Sequence, residues 1–270
     1  MDIPIVNENN IILNSIVSGD CLSVMKHIPD DSVDIIITSP PYNLLNSTGN
    51  GMKGASKRWK NAALVNGYDG YDDNMSFEEY VLWQKDCLRE MFRIIKDTGA
   101  IFYNNKNRVQ NNLLEDRGVI VHGFPLRQVI IWQRAGGINF NDTYYVPTTE
   151  QIYMICKPKF RLNKMGNRYG DVWNITQEHN NPHPAPFPVT LVDRILDTVY
   201  INGRGVILDP FAGSGTVGVS ALKHNMDFML IEQSEEYCKM AQSRLSGIEE
   251  WRNPSAQYIS QSLFGEDDNL

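Results

Sequence analysis

Residues 38–43 read Thr-Ser-Pro-Pro-Tyr-Asn and end a β-branched run at residues 34–38. A run of that kind suits a buried strand. It stops at Pro40 and Pro41, which donate no N–H and cannot continue a ladder. The turn therefore carries a hydroxyl on Ser39, a Pro40 carbonyl whose following residue has no N–H, and the ring of Tyr42. Hydrogen-bond acceptance and ring stacking are the chemistry on offer. A plain loop start with a tyrosine lid over the core is the competing reading.

A second constellation lies late in the chain. Residues 206–208 read as a strand that runs into a glycine loop and then a helix. The loop is Asp209-Pro210-Phe211-Ala212-Gly213-Ser214-Gly215-Thr216. Gly213 and Gly215 allow a tight turn and close approach to a ligand, and the first helical turn offers free N–H groups. Glu232 ends the next strand, FMLIE, where a carboxylate can take ribose hydroxyls. The loop lacks the third glycine of a dinucleotide site and the Gly-Lys-Ser/Thr of a nucleotide triphosphatase. A smaller ligand carrying an adenosine and a carboxylate fits better, and S-adenosyl-L-methionine is one.

The elements that must position these residues alternate. Residues 16–20 read as a strand and CLSVMKHI as a short helix. Residues 43–76 are polar and glycine-rich, a length that is usually functional in a compact domain. Ser76 opens a helix with Glu79 in the capping-box position, a buried stripe of Val81, Leu82, Leu88, Met91, Phe92 and Ile95, and Gly99 as its close. AIFYNN, VIVHGF, RQVIIWQR and EQIYMICKP read as strands, residues 157–182 as irregular, and HPAPFPVTLVDRILDTVY as a proline-rich entry into a helix. Such alternation predicts an α/β fold with a doubly wound, mostly parallel sheet and a ligand at the carboxyl ends of its strands.

Composition bounds the rest. The 270 residues are 42% hydrophobic and 21% charged, which suits one sizeable domain. No apolar run approaches the roughly 20 residues of a membrane span, and MDIPIVNENN is too acidic and polar for a signal peptide. Cys21, Cys87, Cys156 and Cys238 have no CxxC spacing, so neither a metal site nor a redox pair is expected, and a reduced, cytoplasmic setting is the simpler reading. The net charge of −7 speaks weakly against a nucleic-acid partner. Two acid-free basic stretches speak the other way: Lys53, Lys57, Arg58 and Lys60, then Lys157, Lys159, Arg161, Lys164 and Arg168.

DPFAGSGT, TSPPY and HPAPFP together resemble the amino-group DNA methyltransferases, which modify exocyclic nitrogens of adenine or cytosine. With TSPPY first and the glycine loop last, the order is similar to the circularly permuted β class. The resemblance covers roughly residues 16–245 and implies a Rossmann-like S-adenosyl-L-methionine-dependent methyltransferase fold. It implies one catalytic domain over 1–252 with DNA-contacting loops 44–75 and 157–182, while the composition of residues 253–270 reads as a polar, frayed tail.

The same resemblance assigns roles. Asp209, Phe211, Ala212, Gly213, Ser214, Gly215 and Thr216 would form the methionine side of the cofactor pocket, with Glu232 on the ribose. Asp20 would lie near the adenine, although it suits the N-cap of its own helix equally. His183, Pro184, Ala185 and Phe187 would border the methionine, although His183 also reads as a helix-entry loop residue.

Ser39 Oγ and the Pro40 carbonyl would accept the two hydrogens of the target amine and free its lone pair. Pro41 keeps that carbonyl unpaired by its neighbour, and Tyr42 stacks the base. Because the amine is inaccessible in a stacked duplex, the base would flip out. Partners implied are double-stranded DNA, with a cognate restriction endonuclease and a homodimer both compatible. Ser39 stands where adenine enzymes of the family usually carry Asp or Asn, which favours cytosine N4 over adenine N6. The competing classes are an RNA or protein methyltransferase, a non-catalytic DNA-binding module with a relict pocket and, more remotely, a nicotinamide dehydrogenase.

Overall fold

The computed structural model describes residues 13–43, 74–134, 136, 142–177 and 188–248, together with the backbone of 258–260. In chain order the elements are β1 (Ser15–Ser18), α1 (Cys21–Met25), β2 (Val33–Thr38), α2 (Phe77–Ile94), β3 (Ile95–Asn105), β4 (Arg108–Gln110), β5 (Leu113–Glu115) and β6 (Leu126–Gln133). They continue with β7 (Thr149–Cys156), β8 (Val172–Asn174), α3 (Val189–Thr198), β9 (Val206–Asp209), α4 (Thr216–Lys223), β10 (Asp227–Glu232), α5 (Glu235–Ser246) and β11 (Tyr258–Ser260).

One nine-stranded sheet runs β11-β1-β10-β9-β2-β3-β7-β6-β8, and β4 pairs with β5 as a separate hairpin. From β11 to β3 all neighbours are parallel, and β7 enters antiparallel between β3 and β6. The alternation of β2 explains why both faces are covered. Ile35 and Ile37 pack with α3, α4 and α5, while Ile36 packs with α1 and α2, as does Val33 from beyond the register shift between Val33 and Ile35. From β9 the chain moves outward to β10, and from β2 it moves the other way to β3. The β9–β2 border is therefore the topological switch point, where a crevice opens at the strand ends.

Several sequence expectations shift. Ser76 and Glu79 do form a reciprocal capping box on α2. The buried stripe, however, is Tyr80, Gln84, Cys87, Leu88, Met91 and Ile94; Leu82 is exposed and Val81 and Phe92 are half-buried. Gly99 does not close the helix. It lies inside β3 opposite a register shift in β2, where a Cβ would meet the Asp34 carbonyl at 2.8 Å. Close backbone approach is what this glycine serves. VIVHGF is not a strand: Asp116 caps a 3-10 turn at Arg117–Val121 and Gly123 turns with φ +98°. Four short strands escape the sequence reading, β4 and β5 of the separate hairpin among them. β8 lies inside the stretch read as irregular, and β11 lies in the tail read as frayed, adding to the edge of β1. All four cysteines are buried and free. Among the described residues, no helix is long and apolar enough to cross a membrane.

Candidate active site

The carboxyl ends of β1, β10, β9, β2 and β3 share one edge of the sheet, and antiparallel β7 brings its first residues there. The two sequence constellations meet at the switch point. Parallel pairing sets Ile36 beside Leu208, and the Thr38 hydroxyl donates to Asp209 Oδ1 at 2.7 Å across 171 residues of chain.

Beyond Thr38 the proline turn is held from behind. Tyr80 OH donates to the Pro41 carbonyl at 2.9 Å, Arg117 Nη2 to the Tyr42 carbonyl at 3.2 Å, and Arg108 Nη1 to the Asn43 carbonyl at 2.6 Å. Burial raises the Tyr80 phenol, so it stays a donor. Arg117 is fully buried, paired with Glu115 at 2.6 Å and stacked over Tyr80 at 4.3 Å. Asn43, in the left-handed region at φ 55°, clamps the Met75 backbone at both N–H and carbonyl. Three successive carbonyls are thus engaged from the protein side, and among the described residues none donates to the carbonyl of Pro40.

The front of the turn joins a polar group. Ser39 Oγ lies 2.8 Å from Tyr42 OH, which donates to Glu150 Oε2 at 3.0 Å. Asn104 Nδ2 reaches Tyr42 OH at 2.7 Å, Glu150 at 2.8 Å and Ser39 Oγ at 3.3 Å. Arg134 pairs with the other Glu150 oxygen at 3.4 Å. Asn104 is the last residue but one of β3 and Glu150 the second of β7, and neither was picked out from sequence. The available signal was a polar residue at the end of an otherwise apolar strand.

The glycine loop is organised by its neighbours. Glu232 accepts from Gly213 N at 2.7 Å and from Ser234 N at 2.9 Å, so its carboxylate folds the loop as well as facing the edge. Gly213 and Gly215 take φ +50° and +77°. A Cβ on Gly215 would sit 2.9 Å from the Cβ of Ala241 on α5, so this glycine serves helix packing as much as ligand approach. Ser214 and Thr216 also turn toward α5: Arg244 Nη1 donates to Ser214 Oγ at 2.7 Å and Thr216 Oγ1 at 3.2 Å. The same nitrogen donates to the Ser214 carbonyl at 2.8 Å, so the hydroxyl and the carbonyl of Ser214 are both held by α5. Ala212 is buried, with its N–H on the Ile231 carbonyl. Phe211 is edge-on to Trp83, with centroids 5.6 Å apart. Asp20 accepts from Ser23 N at 2.9 Å and caps α1, which realises the N-cap alternative, two residues beyond Ser18, the partner of Glu232.

Asp209 is buried, and desolvation lifts its carboxyl from 3.8 to about 7 against the Thr38 and Phe211 hydrogen bonds. A carboxyl raised in the folded state contributes stability fully below about pH 4 and loses it as pH rises through about 7. Asp209→Asn removes that titration. The Tm of the variant minus that of the parent should therefore grow between pH 5 and pH 8, and thermal melts showing a pH-independent difference would refute the assignment.

The second basic stretch is not assembled at this edge. β7 leads away from it, so Lys157 and Lys159 emerge at the opposite edge, roughly 20 Å along the strand. There Lys159 pairs with Asp97 at 2.8 Å, and Lys157 lies 3.8 Å from Asp31 and over the Phe92 ring. Arg161, Lys164 and Arg168 are exposed between that edge and β8. Lys53, Lys57, Arg58 and Lys60 lie outside the described residues, as do His183, Pro184, Ala185 and Phe187.

A strand–glycine loop–helix unit touching a Ser-Pro-Pro-Tyr turn at the switch point of a doubly wound sheet is the arrangement that the resemblance to amino-group methyltransferases implies. The family model for N6/N4 enzymes, described as DNA methylase, matches residues 33–243, and the chain belongs to that family. Type II methyltransferase M.BglII of Bacillus subtilis is 28% identical over 280 aligned positions, covering 87% of this chain and 69% of that protein. Type II methyltransferase M.HinfI of Haemophilus influenzae is 26% identical, covering 88% and 70%. The fold is shared with the cytosine-N4-specific PvuII DNA methyltransferase at a TM-score of 0.69 and 17% identity, covering 91% of this chain and 94% of that one. It is also shared with a Thermus thermophilus protein described as a DNA modification methylase, complexed with S-adenosyl-L-methionine, at 0.65 and 21%, covering 91% and 98%.

Proposed function

We propose that this DNA methyltransferase moves a methyl group from S-adenosyl-L-methionine to the exocyclic amine of a base flipped from double-stranded DNA, with cytosine N4 as the target. The observation that carries the reading is the Thr38–Asp209 contact, which sets the acceptor turn beside the glycine loop. The loop fits the cofactor: two positive-φ glycines, a helix N-terminus and the Glu232 carboxylate converge at one strand edge. When bound, the cofactor supplies a methyl already activated on a sulfonium.

The chain's own residues do the rest. Glu232 takes the ribose, and the backbone of residues 211–216 lines the methionine side, with residues 183–187 as its further border. Asp20, two residues past the Ser18 partner of Glu232, serves the adenine end. Ser39 Oγ and the Pro40 carbonyl accept the amine's two hydrogens, which localises the nitrogen lone pair toward the methyl. Tyr42 stacks the flipped base and offsets about 1–3 kcal/mol of the flipping cost. The chemistry is otherwise positioning. A neutral Ser39 in place of an acidic or amide acceptor supports cytosine. Grip on the duplex is assigned to residues 44–75 and to Arg161, Lys164 and Arg168; Lys157 and Lys159, which emerge at the opposite edge beside Asp31 and Asp97, are left out of that surface. A cognate endonuclease and a homodimer both fit this activity.

Duplex DNA incubated with the protein and isotopically labelled cofactor, then digested to nucleosides and weighed, should contain N4-methyldeoxycytidine. N6-methyldeoxyadenosine would overturn the base. Label in RNA or protein alone would overturn the substrate, and cofactor binding without any transfer would point to the non-catalytic module.

A further inference from the structure

The group around Tyr42 carries a direction as well as a geometry. Tyr42 OH has a single proton, and three of its neighbours among the described residues lie within 3.0 Å: Glu150 Oε2, Ser39 Oγ and Asn104 Nδ2. A carboxylate only accepts. The 3.0 Å contact to Glu150 therefore takes the Tyr42 proton, because two oxygens without a hydrogen between them repel. For the same reason Asn104 must turn its amide nitrogen, not its oxygen, toward Glu150 at 2.8 Å, and its other hydrogen goes to Tyr42 at 2.7 Å. The Tyr42 oxygen, having given its proton away, accepts from Asn104 and from Ser39. The Ser39 proton is thus committed inward at 2.8 Å. Its remaining contact, Asn104 Nδ2 at 3.3 Å, is the longest of the set and has no hydrogen left to fill it.

We infer that Glu150, acting through Tyr42, is a positioning residue that fixes the direction of the hydrogen-bond chain so that the Ser39 hydroxyl offers a lone pair, not its proton, to the target amine. The inference rests on the methyl-transfer reading above and adds to it why a serine, which can donate or accept, behaves here as an acceptor. Glu150 itself is too deeply buried to serve as a surface contact, being 5% exposed, and Arg134 occupies its other oxygen. Asn104 is fully buried. The chain therefore runs from the protein interior outward to half-buried Ser39, the one member beside the Pro40 carbonyl.

Glu150→Gln keeps shape and volume but adds a donor, so the chain can reverse and Ser39 can present its proton. The expected result is a kcat at least about tenfold lower, with the DNA KM and the cofactor dissociation constant each within about twofold. In a Tyr42→Phe background the same substitution should add less than about twofold, because the link that transmits it is gone. A Glu150→Gln enzyme with parental kcat overturns the inference. So does an effect that multiplies undiminished in the Tyr42→Phe background, which is what a merely structural role gives. If Glu150→Gln loses cofactor binding or its thermal transition, Tyr42→Phe alone decides: it keeps the stacking ring, and parental kcat there overturns the inference equally. A parent protein that methylates no DNA sinks the underlying reading; an active parent with an active Glu150→Gln variant sinks only the chain.

Discussion

Tyr42→Ala is expected to lower kcat by about a hundredfold or more while leaving the affinity for S-adenosyl-L-methionine close to that of the parent. Two losses combine. The alanine removes the stacking face, worth about 1–3 kcal/mol for a base on an aromatic platform. It also strands its partners: Glu150 and Asn104 are buried and lose a hydrogen-bond partner each, a further cost of about 1–3 kcal/mol. The lower values sum to about 2 kcal/mol, a factor of about 30 in rate, and the middle of each range takes the loss past a hundredfold. Cofactor affinity should survive because the glycine loop has its own supports in Glu232 and Arg244. Single-turnover methyl transfer, read beside direct titration of the cofactor, separates the two. Equal loss of both would mean that the proline turn and the glycine loop are not divided as described.

Gly215→Val should destabilise the whole protein by about 3 kcal/mol, and its loss of cofactor binding should follow from that. Two strains add. The position holds φ +77°, where a side chain costs roughly 1–2 kcal/mol and a β-branched one more. A Cβ there lies 2.9 Å from that of Ala241, and forcing extra carbons into a packed contact costs roughly 1–3 kcal/mol. Urea unfolding should show a lower midpoint for Gly215→Val and an intermediate one for Gly215→Ala. Adding Ala241→Gly to Gly215→Ala should restore part of the stability, because it deletes the opposing Cβ. A Gly215→Val protein that unfolds at the parental midpoint yet binds no cofactor would make this glycine a ligand contact only.

The legible and illegible parts of the molecule divide by range. Period and capping chemistry are local, so α2 could be read to its capping box at Ser76 and Glu79, and strands β2, β9 and β10 from their apolar runs. Its buried face was less legible, because Leu82 and Tyr80 differ in burial only through what α1 and the 3-10 turn place opposite them. β11 has three residues, and its backbone pairs with β1, a partner remote in the chain. The basic stretch at 157–168 misled for a related reason: charge is visible in sequence, but which edge of the sheet carries it depends on β7 running antiparallel.

By itself, the amino-acid sequence determined the reaction class. The Ser-Pro-Pro-Tyr turn at residues 39–42 and the glycine loop at 209–216 are each short, contiguous and chemically distinctive, so their residue types survive without any knowledge of contacts. Only the tertiary structure decided which side chains serve those motifs. Glu150, Asn104, Arg244 and Arg117 come from strands and helices remote in the chain, and each acquires its role from a hydrogen bond a few ångströms long. Such contacts depend on strand order and register, which are settled by packing the whole sheet rather than by any one segment of it.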